Sequence, residues 1–508
     1  MHEVSADLGP GRPTPPIDLA GSAAGPTAHL RTETVALDPA FVDRLTTACS
    51  SVTTAAPALA EASRDWWPLA MTWALDGQVA QLAAAVATPT SVDEVRAVVR
   101  ECNDARVPLT VAAGRSGVCG GSVPLYGGVI LDLTALAGIR SVDDASLVVD
   151  VLPGTFGDHF EAEMQERHGL TVGHWPQSMA LSTVGGWLAC RGAGQYSTRY
   201  GKIEDIVVGL DVVLADGSLI RTGGVPRQAA GPDLNQVFVG SEGTLGVIVG
   251  ARLRAHPKPG HERRAAYAFA SFEEGLDACR RVLRRGATPA VLRLYDAIEG
   301  ERNFGTGDVA PLLVLDEGDL ALVDTTLEIV AEECVTAHHL DAEIVERWMS
   351  HRNDVSALES LISKGFVIDT MEITGSWAQL DDIYRSAIDA IGNVEGVLSV
   401  SAHQSHAYTD GACLYFTFGG KPNDDQKDAF YNSVWDAGTR AVLAHGGSLS
   451  HHHGVGLNRA RFVPEALDGG FDVLAALKSA LDPHGILNPG KLGLDSPFGD
   501  NPYGPRPS

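Results

Sequence analysis

Between residues 112 and 250 the chain returns three times to one texture: an apolar, strand-like run followed by a loop of glycine, serine and threonine. The loops are "AAGRSGVCGG" from Ala112, "WPQSMALSTVGGWLACRGAGQYS" from Trp175 and "GSEGTLGVI" from Gly240. Small residues let successive backbone N–H groups turn inward and cup an anionic group such as a pyrophosphate. One such loop is ordinarily just a turn. Three within a single stretch exceed what turns need, and together they predict one extended cofactor lying across a domain. None opens a helix with the G-x-G-x-x-G pattern, and no G-x-x-x-x-G-K-[ST] loop occurs.

The flanking pattern is α+β. "TPTSVDEVRAVVRECNDARVPLTV" reads as a Ser-capped amphipathic helix entering a strand, "GGVILDLTAL" and "SLVVDVLPG" as further strands, and "IVVGLDVVLADGSLI" as a hairpin about Asp-Gly. Beyond about residue 258 strands alternate with longer helices, predicting an antiparallel sheet covered by helices. A chain of 508 residues exceeds one ordinary core. The expected organisation is a flexible tail over 1–35, a first domain over 36–257, a second over 258–450, a segment over 451–494 whose helix returns to the first domain, and a tail over 495–508.

The balance of 64 acidic against 38 basic side chains gives a formal charge of −26, which repels nucleic acid and anionic lipid surfaces. Any anionic substrate then depends on a local basic pocket. Seven cysteines scattered singly fit a reducing compartment, and neither a signal-peptide pattern nor a long apolar run is present, so the expectation is a cytoplasmic protein with at most a peripheral membrane contact.

Chemistry-bearing residues gather toward the C-terminus. "GGSLSHHHGVG" places His451, His452 and His453 in succession. Consecutive residues point apart on a strand or a helix, and no Cys or carboxylate completes a ligand set, so no metal site is expected. Imidazoles among glycines suit proton transfer instead. Tyr415 in "ACLYFTFGG" reads, on its own, as a core residue with a satisfied hydroxyl. Arg293 in "AVLRLYDA" is either an anion binder or a surface-strand arginine.

The ordered set "AAGRSGVCGG", "PQSMALSTVGGWLACRGAGQYS", "YGKIEDIVVGLDVVLADG" and "GSEGTLGVI" resembles the FAD-binding domain of the vanillyl-alcohol-oxidase-type flavoproteins, in particular the alkyldihydroxyacetonephosphate synthase branch and its bacterial FAD-linked oxidase relatives. The resemblance spans roughly residues 65–493. It implies an α+β fold: a PCMH-type FAD-binding domain of two subdomains, then a substrate (cap) domain of antiparallel sheet and helices. It also implies non-covalent FAD, its pyrophosphate on the backbone of Ala112, Ala113, Gly114, Arg115, Ser116 and Gly117. Pro176, Ser178, Ser182, Thr183, Gly185, Gly186, Ala189, Arg191, Gly192, Glu242, Gly243, Thr244 and Ile248 would line the rest. Tyr415 and the three histidines would form the catalytic cluster beside the flavin.

One departure stands out. Aligning "TMEITGSW" with the synthase places Leu358 where that enzyme's substrate-phosphate arginine belongs, with Arg352 six residues away. The expected activity is therefore oxidation of a small hydroxylated molecule, a 2-hydroxy acid or an alcohol, by hydride transfer to the flavin. His453, a neighbour or a Tyr415 phenolate would take the hydroxyl proton, Arg293 would hold an anionic group, and a separate acceptor would collect the electrons. The alternative is a redox-neutral synthase-like transferase. A homodimer is the expected assembly.

Overall fold

The computed structural model describes residues 17–20, 25–26, 29–30, 32–354 and 356–504. The first half of the chain builds two main sheets, beside which lie two two-stranded pairings. One has four strands in the order Val52–Thr53, Ala85–Ala87, Val129–Asp132, Leu109–Ala112. The last three strands are parallel, and helix Val92–Ala105 makes the crossover. Ser91 starts that helix by accepting the Glu94 N–H, and Val95, Val98, Val99 and Cys102 face the sheet. The second sheet is antiparallel: Leu219–Gly223, Val207–Val213, Val247–Arg254, Val148–Val151, Ile139–Asp143. The expected hairpin joins its first two strands, with Gly217 at φ 76°, a left-handed turn position suited to glycine.

Residues 261–420 supply a seven-stranded, wholly antiparallel sheet ordered His338–Leu340, His261–Phe269, Ala310–Gly318, Val291–Tyr295, Val397–Ala407, Gly411–Gly420, Val367–Ser376. Helices Phe272–Arg284, Leu380–Gly392 and Lys427–Ala444 contribute buried residues to the core on this sheet. Helix Gly470–Leu481 turns back, laying Leu474, Leu477 and Leu481 on the core of the five-stranded sheet, and Leu487 bridges Leu109. Among the described residues, no helix is long and apolar enough to cross a membrane.

The expected tails behave differently where they are described. Residues 1–16 and 505–508 lie outside the described residues. Ile17 and Leu30 are buried, with the Ile17 carbonyl accepting from Arg64 at 2.7 Å. The segment after 495 is also packed: Tyr126 donates to the Gly499 carbonyl at 2.7 Å, and Tyr503 sets its ring 5.2 Å from that of Trp67. Both corrections have one cause, since these stretches carry isolated apolar side chains whose docking surface is remote in sequence.

Trp67 gathers these pieces. It is fully buried, its indole N–H donates to the Tyr431 hydroxyl at 3.0 Å, and that hydroxyl donates to Asp369 at 2.6 Å. Trp67→Ala is expected to cost about 3–5 kcal/mol of unfolding free energy and Trp67→Phe about 1 kcal/mol, measured by urea denaturation.

Candidate active site

A cavity of about 910 Å³ runs from the glycine-rich loops to the face of the seven-stranded sheet, at the upper end of the roughly 300–1,000 Å³ usual for ligand pockets. Ala112 through Gly117, Pro176, Ser178, Ser182, Thr183, Gly185, Gly186, Ala189, Gly192, Glu242, Gly243 and Ile248 line it. At the sheet end it meets Arg293, His403, His406, Tyr415, His452 and His453. The loops are locked by close backbone approach: a Cβ on Gly114 would lie 2.3 Å from the Leu181 carbonyl oxygen. The N–H groups of Gly114 through Gly117 make no hydrogen bond within the described residues, and His174 reaches the cavity with both ring nitrogens unpartnered. Free donors and an unpartnered imidazole fit a polar, phosphate-bearing group.

The reactive end is built by strand register. Tyr295, His403, Tyr415 and Glu372 pair across four adjacent strands, so their side chains share one face. His403 stacks on Tyr415 at 4.4 Å and 18°. Arg293, two residues before Tyr295, points the same way; it donates to the Tyr295 hydroxyl at 2.6 Å and to His403 Nε2 at 2.7 Å. His403 Nε2 thus accepts, and Nδ1–H donates to Glu299 at 3.0 Å. Among the described residues no carboxylate bonds to Arg293, although it is half-buried against the rings of Tyr295, Trp348 and Tyr415. Glu299 attracts this guanidinium only from beyond bonding distance, which leaves its donors open toward the cavity.

His451, His452 and His453 lie on a bend wrapped round Glu372. Its carboxylate accepts the backbone N–H of all three, at 3.2 Å from His452 and 3.0 Å from His453, and the Ser450 hydroxyl at 2.8 Å. Arg459 completes the set at 2.8 Å, and both partners of this ion pair are fully buried. Two residues on, Glu242 takes the N–H groups of Val455 and Gly456 at 2.5 and 2.8 Å.

Burial pushes the three imidazoles toward neutrality, His451 and His452 well below the usual range and His453 down to about 4 despite the opposing pull of Glu372. Burial also raises the Tyr415 phenol well above its ordinary value, against the attraction of Arg293, which favours the neutral phenol over the expected phenolate. Burial would raise Glu372 as well, but Arg459, His453 and the loop's hydrogen bonds outweigh it and hold the carboxyl low.

The structure departs from the sequence reading at several positions. Arg191 and Thr244 do not line the cavity. Arg191 takes the left-handed C-cap of helix Val184–Cys190 and pairs with Glu204 at 3.4 Å, while Thr244 turns its hydroxyl back to the Ser241 carbonyl at 2.7 Å. His451 sits behind the cavity, its Nε2 3.0 Å from the Tyr408 hydroxyl. The consecutive histidines converge, with Nδ1 of His451 and His452 2.8 Å apart, because a bend around a carboxylate carries them instead of a strand or helix. The rings of His406, His451 and His452 come close enough that their donor atoms resemble a metal-ligand set. Leu358 does line the cavity, and Arg352 lines it too, its guanidinium 5.0 Å from the Tyr196 ring and bonded to Gln195 at 3.1 Å.

His403, His406, Tyr408, Glu299 and the positioning roles of Glu372 and Glu242 escaped the sequence reading. "SAHQSHAY" held the signal, but strand alternation puts His403 and His406 on opposite faces. His403 faces Tyr415 by register, and a bulge between Ser405 and Ala407, with His406 at φ 53°, turns His406 to the same side.

Arg459→Met leaves Glu372 buried without its partner and should cost about 3–5 kcal/mol in unfolding free energy, visible as a lowered melting temperature in scanning calorimetry.

Residues 83–223 match the family model described as "FAD binding domain", and residues 258–492 match "FAD linked oxidases, C-terminal domain". The chain is 30% identical to the uncharacterized FAD-linked oxidoreductase YgcU of Escherichia coli (strain K12), over 80% of this chain and 88% of that one. It is 28% identical to the alkyldihydroxyacetonephosphate synthase of Dictyostelium discoideum (82% and 74% covered) and to the glycolate oxidase subunit GlcD of Bacillus subtilis (80% and 88%). A solved alkyldihydroxyacetonephosphate synthase superposes with a TM-score of 0.75 at 24% identity (93% and 90%), and p-cresol methylhydroxylase with substrate bound with 0.71 at 18% (91% and 99%), which shows the shared fold. The chain is an enzyme of the FAD-linked oxidase family, with FAD as its cofactor and the α+β, PCMH-type fold of that family.

Proposed function

We propose that this enzyme oxidises a small hydroxylated anion of the 2-hydroxy-acid kind, bound with its carboxylate on Arg293 and its hydroxyl toward Tyr415 and His453. The observation that carries the reading is Arg293: a half-buried, cavity-lining guanidinium to which no carboxylate bonds among the described residues and which sits one register row from Tyr415. A relative bearing the name glycolate oxidase subunit supports the substrate class.

The loops from Ala112 to Gly117, Pro176 to Gly192 and Glu242 to Ile248 would hold FAD by backbone donors and small side chains, without a covalent bond. FAD, when bound, supplies the acceptor for the hydride leaving the substrate carbon. Arg293 and the fixed sheet orient the substrate, and the low-dielectric walls strengthen that contact. His453 is neutral above about pH 4 and in that form accepts a hydrogen bond from the substrate hydroxyl, while the hydroxyl proton leaves through Tyr415, a phenol that takes it up as it passes its own proton on.

A second reading, the redox-neutral transferase acting on a phosphorylated ketone, draws on Arg347 and Arg352, which line the cavity near Leu358. Anaerobic addition of candidate substrates to the yellow protein separates the two. Lasting bleaching by a 2-hydroxy acid supports oxidation, whereas a phosphorylated ketone that binds without bleaching supports transfer.

Tyr415→Phe should retain FAD and slow flavin reduction by roughly 10²-fold or more in stopped-flow absorbance. Arg293→Met should raise the substrate Kd roughly ten- to a hundredfold, as expected for losing a charge-assisted contact of about 1.5–3 kcal/mol. Because His453 is depressed, the reduction rate should hold from pH 8 down to pH 5 and fall only as pH drops through about 4. A limb near 6.5 would assign the proton to an unperturbed imidazole.

A further inference from the structure

Six side chains close a ring of hydrogen bonds at the sheet end of the cavity. Ser197 Oγ meets His406 Nδ1 at 2.7 Å, His406 Nε2 meets the Tyr415 hydroxyl at 2.9 Å, and that hydroxyl meets His452 Nε2 at 3.0 Å. His452 Nδ1 meets His451 Nδ1 at 2.8 Å, His451 Nε2 meets the Tyr408 hydroxyl at 3.0 Å, and Tyr408 returns to Ser197 Oγ at 3.3 Å. Burial drives the three imidazoles and both phenols to their neutral forms. Each group then owns one mobile proton and one accepting lone pair, so six protons serve six bonds.

Only two arrangements satisfy every bond, all donors running one way round or all the other. The contact between two Nδ1 atoms forces His451 and His452 into opposite tautomers. Following the ring, His406 must share the tautomer of His451 in either sense. Tyr415, His406 and His452 line the cavity, while Ser197, Tyr408 and His451 lie behind it.

We propose that this ring is a proton relay that carries a substrate proton from Tyr415 through His452 to His451, behind the cavity, with Ser197 and Tyr408 as positioning residues that set its direction. The relay rests on the oxidation proposed above; the order of the ring does not. In the step, the substrate O–H bond breaks and its electron pair stays on the substrate oxygen. The proton binds Tyr415 Oη as the proton of Tyr415 passes to His452 Nε2. The Nδ1 proton of His452 then passes to His451 Nδ1. His452 ends neutral in its other tautomer, and His451 becomes the imidazolium, donating to Tyr408 and His452. One proton has entered and one positive charge has moved behind the cavity wall.

The charges around the ring set its bias. Arg293 and Lys202 oppose an added proton, and His403 and His453 stay neutral beside it. Glu372, with Oε2 3.8 Å from His452 Nδ1, favours it, and Glu204 and Asp205 lie toward Tyr408. Three imidazoles at this spacing would also suit a divalent cation, but all six of their nitrogens are already engaged in the ring.

The test is nitrogen NMR of the holoenzyme labelled with 15N-histidine at neutral pH, which distinguishes Nδ1–H from Nε2–H imidazoles. The expected pattern is His406 and His451 alike and His452 opposite, all neutral. Tyr408→Phe strips the partner from His451 Nε2, and an unpaired lone pair is tolerated better than an unpaired N–H. It should therefore fix His451 and His406 as Nδ1–H and His452 as Nε2–H, although Tyr408 does not touch His406. Any other combination, or a histidine among the three charged at neutral pH, overturns the ordered ring. In stopped-flow reduction Tyr408→Phe and Ser197→Ala should each slow the step at least about tenfold with substrate Kd unchanged. Rates within about twofold of the parent in both variants would overturn the relay. A flavin that no hydroxylated anion reduces would defeat the oxidation reading, and the relay with it, while the tautomer pattern stands or falls separately.

Discussion

The loop from Ser450 to Gly456 is held between two buried carboxylates, and the site exists because of that grip. Glu372 comes from an edge strand of the seven-stranded sheet and Glu242 from the turn before a strand of the five-stranded sheet. Between them they take the N–H groups of five residues, His451, His452, His453, Val455 and Gly456. Charge-assisted bonds of this kind are about twice as strong as neutral ones, and the desolvation of Glu372 is offset by Arg459. The same contacts tie the glycine-rich loops at one end of the cavity to the seven-stranded sheet at the other, so the histidine loop is also the join between the two halves.

The sheet contributes order of another kind. Four residues from four strands share one register row, and a one-residue slip in any strand would send its side chain to the opposite face. That arrangement lets polar side chains be buried together without a mobile charge among them. His403 spends its two nitrogens on Arg293 and Glu299, and Tyr415 spends its hydroxyl on His406 and His452. The guanidinium of Arg293 is the exception: no carboxylate bonds to it among the described residues, and Glu299 attracts it only from beyond bonding distance.

Much of this was legible in the amino-acid sequence where the signal is local. The Ser91 cap, the Asp216–Gly217 hairpin and the returning C-terminal helix follow from short patterns that tertiary contacts do not override. The family resemblance placed the cavity-lining loops. It erred at Arg191 and Thr244, because a contiguous motif does not say which of its residues point inward, and a left-handed cap and a self-satisfied hydroxyl both point elsewhere. His406 was illegible because the bulge that turns it has no sequence mark of its own. The three histidines were misjudged as diverging, since the carboxylate that bends their backbone lies 79 residues upstream of the first.

The charge distribution carries a kinetic consequence. The chain bears −26 overall, yet the substrate end of its cavity gathers Arg293, Arg302, Arg347 and Arg352 beside Glu299 and Asp354, a local balance far less acidic than the exterior. An incoming anion is repelled by the exterior at long range and attracted only once inside. Added salt shortens the reach of the repulsion to about 8–10 Å and screens the exposed Arg302 and Arg347, while leaving the half-buried Arg293 and Arg352 less affected. Capture of an anion by this enzyme should therefore quicken as ionic strength rises, the reverse of ordinary electrostatic steering.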